Sequence, residues 1–270
     1  MKIIKVTLYL ALLLFLPGIV LSGQAKADPQ LVQVLMTKSG MITQMEQAPQ
    51  MVQAGMAQAN QQFQKLSQEE LDYLSSLVAD AYKPAAILDT FRNYLQENLS
   101  DGDIRAILAW LDSPLGGKLT GYVTDASTAA AMQEMQAMAE TLLKDEGRVS
   151  LIKRLDKALG ATESGTSLAL DTQSAMILAF TASMPIEQRP SMEDITRIVN
   201  RGKEQVLPYV EQQTLLSLLY MYRRATNAEI EQYIMFNQSE AATHYNEVET
   251  NAMHEAFVKA GRTLARLMAK

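Results

Sequence analysis

The sequence predicts an all-α protein, a multi-helix bundle built as two similar helical units in tandem. Three observations carry that expectation. Glycine and proline are sparse, at 13 and 8 of 270 residues, while Ala, Leu, Met, Gln and Glu, all good helix formers, dominate. Apolar residues recur at helical rather than alternating intervals. Four Ser/Thr-x-x-Asp/Glu boxes stand before four apolar runs.

Each element follows from those patterns. Met41, Met45, Ala48, Val52, Met56 and Phe63 form one apolar stripe. Ile104, Ile107, Leu108 and Leu111 form a second, and Tyr245, Val248, Ala252, Ala256, Ala260 and Leu264 a third. The boxes are Ser67 with Glu70, Ser100 with Asp103, Ser191 with Asp194, and Thr226 with Glu229. In each, the hydroxyl accepts from the third helical amide while the acid reaches back to the cap amide. They predict helices near 68–80, 101–112, 192–206 and 227–238.

The spacing also predicts duplication. Leu31-Val32-x-x-Leu35 ending at Gly40 parallels Leu151-Ile152-x-x-Leu155 ending at Gly160. Further on, a shift of 126 residues lays Ile104 on Ile230, Leu108 on Ile234, Trp110 on Phe236, Ser113 on Ser239 and Gly116 on Ala242. The expected units are 28–147 and 148–270, with a loop at Gly160–Thr166 inside the second.

Residues 1–27 read as a signal peptide. Lys2 and Lys5 precede an apolar run from Val6 to Leu16, Pro17 and Gly18 end it, and Ala25-Lys26-Ala27 offers a small-x-small cleavage site before Asp28. The apolar run is too short to span a bilayer, and no later stretch is long and apolar enough to do so. The expected location is therefore the periplasm. Removing 1–27 takes away three lysines and no acids, so the net charge becomes 21 − 30 = −9. Such an acidic chain repels phosphate backbones, which argues against a nucleic-acid partner. With no cysteine, stability in an oxidising compartment rests on burial alone.

Ser113-Pro114-Leu115-Gly116-Gly117-Lys118 reads first as a helix corner. Ser113 suits the N-cap, and Pro114 suits the first helical position, where a missing N–H costs nothing. Gly116 and Gly117 leave room for another backbone. Lys118 gains nothing from the dipole at a helix start and calls for a partner elsewhere. Together with Leu99 to Ile104 and Ala109 to Leu119, the corner resembles the signature of a bacterial exported family, domain of unknown function 2059. That signature is an acid-led helix, an aromatic pair, then Ser-Pro-x-Gly-x-Lys. Here Trp110-Leu111 stands for the aromatic pair and Asp103 for a Glu, and the second unit keeps Ser239 but lacks the proline and glycines. The resemblance implies an envelope-located helical fold and no particular activity.

Chemical signatures are few. Absence of cysteine excludes thiol chemistry, and no Gly-rich phosphate loop or G-x-S-x-G occurs. Ser150-Leu151-Ile152-Lys153 matches S-x-x-K, but the only K-T-G-like triplet, Lys38-Ser39-Gly40, precedes it in a helical context. Glu240, His244, Glu247, Asn251 and His254 fall at steps of 4, 3, 4 and 3, a polar stripe on one helix. It reads either as a solvated face or as a divalent-metal set of His244, His254, Glu240 and Glu247. Met132, Met135 and Met138 recur every third residue, either as core packing or as the lining of an adaptable apolar site. The glutamines between Gln44 and Gln68 read as an uncharged solvated surface.

Three function classes remain. The first is a non-enzymatic envelope protein that binds or helps assemble a partner protein. The second is a carrier of a small apolar ligand or metal, and the third an enzyme with a dispersed site around His244 and His254. No cofactor is expected. Gly116→Leu is expected to lower the melting temperature markedly in a thermal unfolding scan.

Overall fold

A computed structural model describes residues 26–63, 67–182 and 189–268. The apolar run expected at Val6–Leu16 lies outside these residues; of the expected cleavage site Ala25-Lys26-Ala27, only Lys26 and Ala27 are described. Thirteen helices make up the described fold, and no strand occurs among the described residues. They are α1 (Pro29–Lys38), α2 (Met41–Glu46), α3 (Ala48–Phe63), α4 (Gln68–Ala81), α5 (Pro84–Asn98), α6 (Asp101–Leu111) and α7 (Pro114–Ala126). Then follow α8 (Ala129–Leu143), α9 (Glu146–Leu159), α10 (Ala161–Ala182), α11 (Met192–Met221), α12 (Asn227–Asn237) and α13 (Glu240–Met268).

The helix starts follow from local chemistry. All four boxes form with both hydrogen bonds, opening α4, α6, α11 and α12. Aspartates cap two further helices, Asp28 for α1 and Asp145 for α9. α11 runs on past the expected end near 206 to Met221, with Pro208 inside it. The loop expected at Gly160–Thr166 is not there. Gly160 takes a left-handed conformation at φ 65° and closes α9. The next helix starts at once, because the Asp156 carboxylate accepts from the Thr162 N–H (2.8 Å) and hydroxyl (2.7 Å).

Burial is organised in two apolar clusters. The first gathers Val32, Leu35, Met36, Met41 and Met45 with Ile87, Phe91, Leu95 and Ile104, from α1, α2, α5 and α6. It is closed by α13, which contributes Tyr245, Val248, Ala252, Ala256, Phe257, Ala260 and Leu264. The second gathers Leu151, Ile152 and Leu155 of α9, Leu218 and Leu219 of α11, and Ile230 and Ile234 of α12. Into it reaches Leu119 of α7. α10 lies against α13 and α11 and bridges the two regions. The first methionine stripe is core: Met41, Met45 and Met56 are all buried.

Phe91 is wholly buried at the centre of the first cluster. Phe91→Ala should lower unfolding free energy by about 3–5 kcal/mol, through lost transfer energy and the cavity left behind. A denaturant titration with unchanged m-value would read that loss.

Candidate functional site

The Ser113–Lys118 corner is held by its own hydrogen bonds. Ser113 Oγ accepts from the Gly116 N–H (3.0 Å) and donates to the Trp110 carbonyl (2.6 Å). α7 thereby turns back so tightly on α6 that a Cβ on Gly116 would sit 2.0 Å from the Trp110 carbonyl oxygen and 2.8 Å from its carbon. No side chain fits there without moving the backbone. Gly117 differs from the expectation. It is exposed, and a Cβ there would meet only the Leu111 oxygen at 3.6 Å, an ordinary contact.

Lys118 finds the partner that the helix dipole denies it. Its Nζ lies 2.6 Å from Glu229 Oε1, on the first turn of α12. Glu229 is also the acid of the Thr226 box, accepting from the Thr226 N–H at 2.9 Å. The Lys118 ammonium, then the Thr226 N–H, hold its carboxyl below the usual range, and Glu229 in turn raises Lys118. Trp110 stacks on Phe236 at 4.3 Å between ring centroids and on Tyr233 at 5.7 Å. The corner therefore joins α6 and α7 to α12.

The two histidines do not share a site. His244 Nδ1 lies 3.4 Å from Asp103 Oδ2, in the capping box of α6. His254 Nδ1 lies 2.6 Å from Asp171 Oδ2 on α10. Burial alone would raise Asp103, but hydrogen bonds from Ser100 and the nearby His244 outweigh it and lower its carboxyl. At Asp171 the balance reverses: burial raises the carboxyl and His254 offsets only part. Glu240 and Glu247 are exposed and join neither pair. Among the described residues no three His, Asp or Glu side chains gather as a metal set. The reason is geometric, since each imidazole is drawn to an acid on a different neighbouring helix.

The second methionine group also divides. Met132 is 56% exposed, whereas Met135 is half-buried, with its sulfur 3.7 Å from the Ser217 hydroxyl. Met138 is half-buried. A three-residue step drifts around the helix, so the three side chains do not share one line facing α11. A cleft of about 590 Å³ opens between α9, α10 and α11, lined by Lys153, Asp156, Lys157, Glu163, Glu211 and Leu215 among others. Both signs of charge line it, and it holds no methionine.

One ionisable residue escaped the sequence reading. Glu249 is half-buried beside the interior face of α13, where loss of solvent pushes its carboxyl up to about 7 and the nearby Tyr245 hydroxyl offsets a part. Its position was a signal. Glu249 falls four residues after Tyr245 and three before Ala252, within the apolar stripe.

The fold and these contacts define an all-α, multi-helix protein in which Lys118, His244 and His254 each pair with an acid on another helix. Residues 85–145, spanning α5 to α8, match the model of a family described as an uncharacterized protein conserved in bacteria (DUF2059). The match contains the whole Ser113–Lys118 corner. No curated protein and no solved structure matches the chain.

Glu249 makes stability depend on pH in a defined direction. Below about 4.5, its ordinary value, folded and unfolded chains both hold the proton. Between there and about 7 only the folded chain keeps it, so its contribution to stability falls as pH rises through this window. The loss is on the order of 3 kcal/mol at pH 8 relative to pH 4. Glu249→Gln should flatten that part of the profile, read as denaturant midpoints of wild type and variant across pH 4–8.

Proposed function

We propose that this chain is a non-enzymatic protein of the bacterial envelope, exported by a cleavable signal and acting through association with another protein. The observation that carries the reading is where the reactive side chains go. Lys118, His244 and His254 each pair with an acid on another helix, at 2.6, 3.4 and 2.6 Å. Ser113 is spent on the α7 cap. A general base needs a free ring nitrogen within hydrogen-bond reach of the proton it takes, directly or through one water. The pairing of His254 with Asp171 supplies an oriented imidazole, but none of the hydrogen bonds described places a serine or threonine beside it.

Export is supported by the composition of residues 1–27 and by the N-terminal contacts. The Asp28 nitrogen lies 2.8 Å from Asp101 Oδ1. A cut after Ala27 would turn that amide into an ammonium facing a carboxylate, a stronger pair. The same cut would remove Ala27, which is 1% exposed and donates its N–H to the Gln96 carbonyl at 2.9 Å. No helix among the described residues is long and apolar enough to cross a membrane.

The carrier reading is the principal rival. Met36, Met41 and Met45 are packed in the first cluster, and Met132 faces solvent. Native mass spectrometry of the protein taken from its own envelope separates the two. The expected species is a chain of about 27 kDa, the 29.9 kDa precursor less residues 1–27, carrying added polypeptide mass. A stoichiometric metal or small apolar molecule would overturn this reading in favour of a carrier. Retention of residues 1–27 would remove the envelope placement.

A further inference from the structure

Each half of the chain lends its last helices to the other half's core. The shift of 126 residues lays α6 (101–111) on α12 (227–237), and the α7–α8 stretch (114–143) on α13 (240–268). Yet Leu119 of α7 is buried with α9, α11 and α12, while its counterpart Tyr245 (119 + 126) is buried with α1, α5 and α6.

Three side-chain contacts obey the shift in both directions. Lys118 of the first arm pairs with Glu229, the box acid of α12, at 2.6 Å. Adding 126 to Asp103 gives Glu229, and adding 126 to Lys118 gives His244. His244 of the second arm does pair with Asp103, the box acid of α6, at 3.4 Å. The third contact joins a residue to its own counterpart. Trp110 and Phe236 are 126 apart, and they stack on each other at 4.3 Å with planes 7° apart. Residues on a two-fold axis meet their own images in this way.

The backbone repeats the relation. The Ser113 N–H bonds to the Trp110 carbonyl at 3.0 Å, and the Ser239 N–H to the Phe236 carbonyl at 2.9 Å. Gly40 and Gly160, which follow the first helix of each unit at a spacing of 120 rather than 126 residues, both have positive φ, 79° and 65°.

We propose that the chain is two copies of one helical unit, α1–α8 and α9–α13, joined head to tail as a two-fold dimer with exchanged arms; the boundary falls at Lys144–Asp145, because the expected break after 147 lies inside α9. The face formed by α4, α5 and α6 is then a dimerisation surface whose occupant is the other unit's arm, α13. The α9–α11–α12 face receives α7–α8 in return. The family match supports the unit, because 85–145 ends within the link between α8 and α9.

The test keeps the full chain. A protease site placed between Lys144 and Asp145, both exposed and joining α8 to α9, is cut after folding. The two fragments should run together in gel filtration at the mass of the uncut chain and unfold in one transition. Fragments that part in native buffer, or that melt in two independent transitions, would overturn the exchange. Lys118→Glu in the cut protein should weaken fragment association about tenfold, whereas Lys118→Arg, which keeps a cation on Glu229 and leaves the Thr226 cap intact, should not. Equal dissociation constants for all three proteins would remove the reciprocal pairing on which the inference stands.

Discussion

The small-residue face of α13 is the constraint on which the rest of this structure depends. Ala242, Ala252, Ala256, Ala260 and Gly261 are all buried along one helix. Short side chains let α10, α4, α5 and α6 approach it closely, and close approach is what packs interiors to crystal-like density. The bulky members of the face, Tyr245, Phe257 and Leu264, fill the gaps between neighbours. Phe257 meets Tyr82 edge to face at 5.6 Å, tying the end of α4 to the same helix. With no cysteine in the chain, stability rests on this packing without help from cross-links.

A second constraint acts at the corner between α6 and α7. Where α13 approaches its neighbours through alanine, Gly116 approaches the Trp110 carbonyl through no side chain at all. That turn aims Trp110 at Phe236 and Lys118 at Glu229 in one movement. Hydrogen bonding, stacking and charge therefore agree on a single orientation of α7 against α12. The exposed ion pair adds little energy by itself. It contributes registry, since Glu229 must serve both the lysine and the cap of its own helix.

The all-α class and most helix starts were legible because capping is local. Ser67, Ser100, Ser191 and Thr226 act within four residues of themselves, and all four boxes form as read. The end of α11 was not legible, because Pro208 is tolerated by a helix whose flanks are anchored elsewhere. The loop at 160–166 failed for a related reason. Gly160 was rightly a stop, but the Asp156–Thr162 bonds restart the helix across it, a pairing no periodicity reveals. At the site, the corner was legible from Ser113 and Pro114. The fates of His244 and His254 were not, because Asp103 and Asp171 lie 141 and 83 residues away in sequence. Glu249 was visible as an acid inside an apolar stripe, but its depth of burial depends on helices that the stripe does not name.

The place of α13 in the first cluster has a consequence for the order in which the protein comes into being. Val32 and Leu35 leave the ribosome early, yet the core that holds them is closed by residues 242–264, near the end of the chain. A nascent chain thus lacks the piece that would lock its first helices in place. Contacts of such long sequence separation form late and slowly. A fold that cannot close until its last helix arrives stays open for as long as it is being made, and becomes compact only once the whole chain is free of the ribosome.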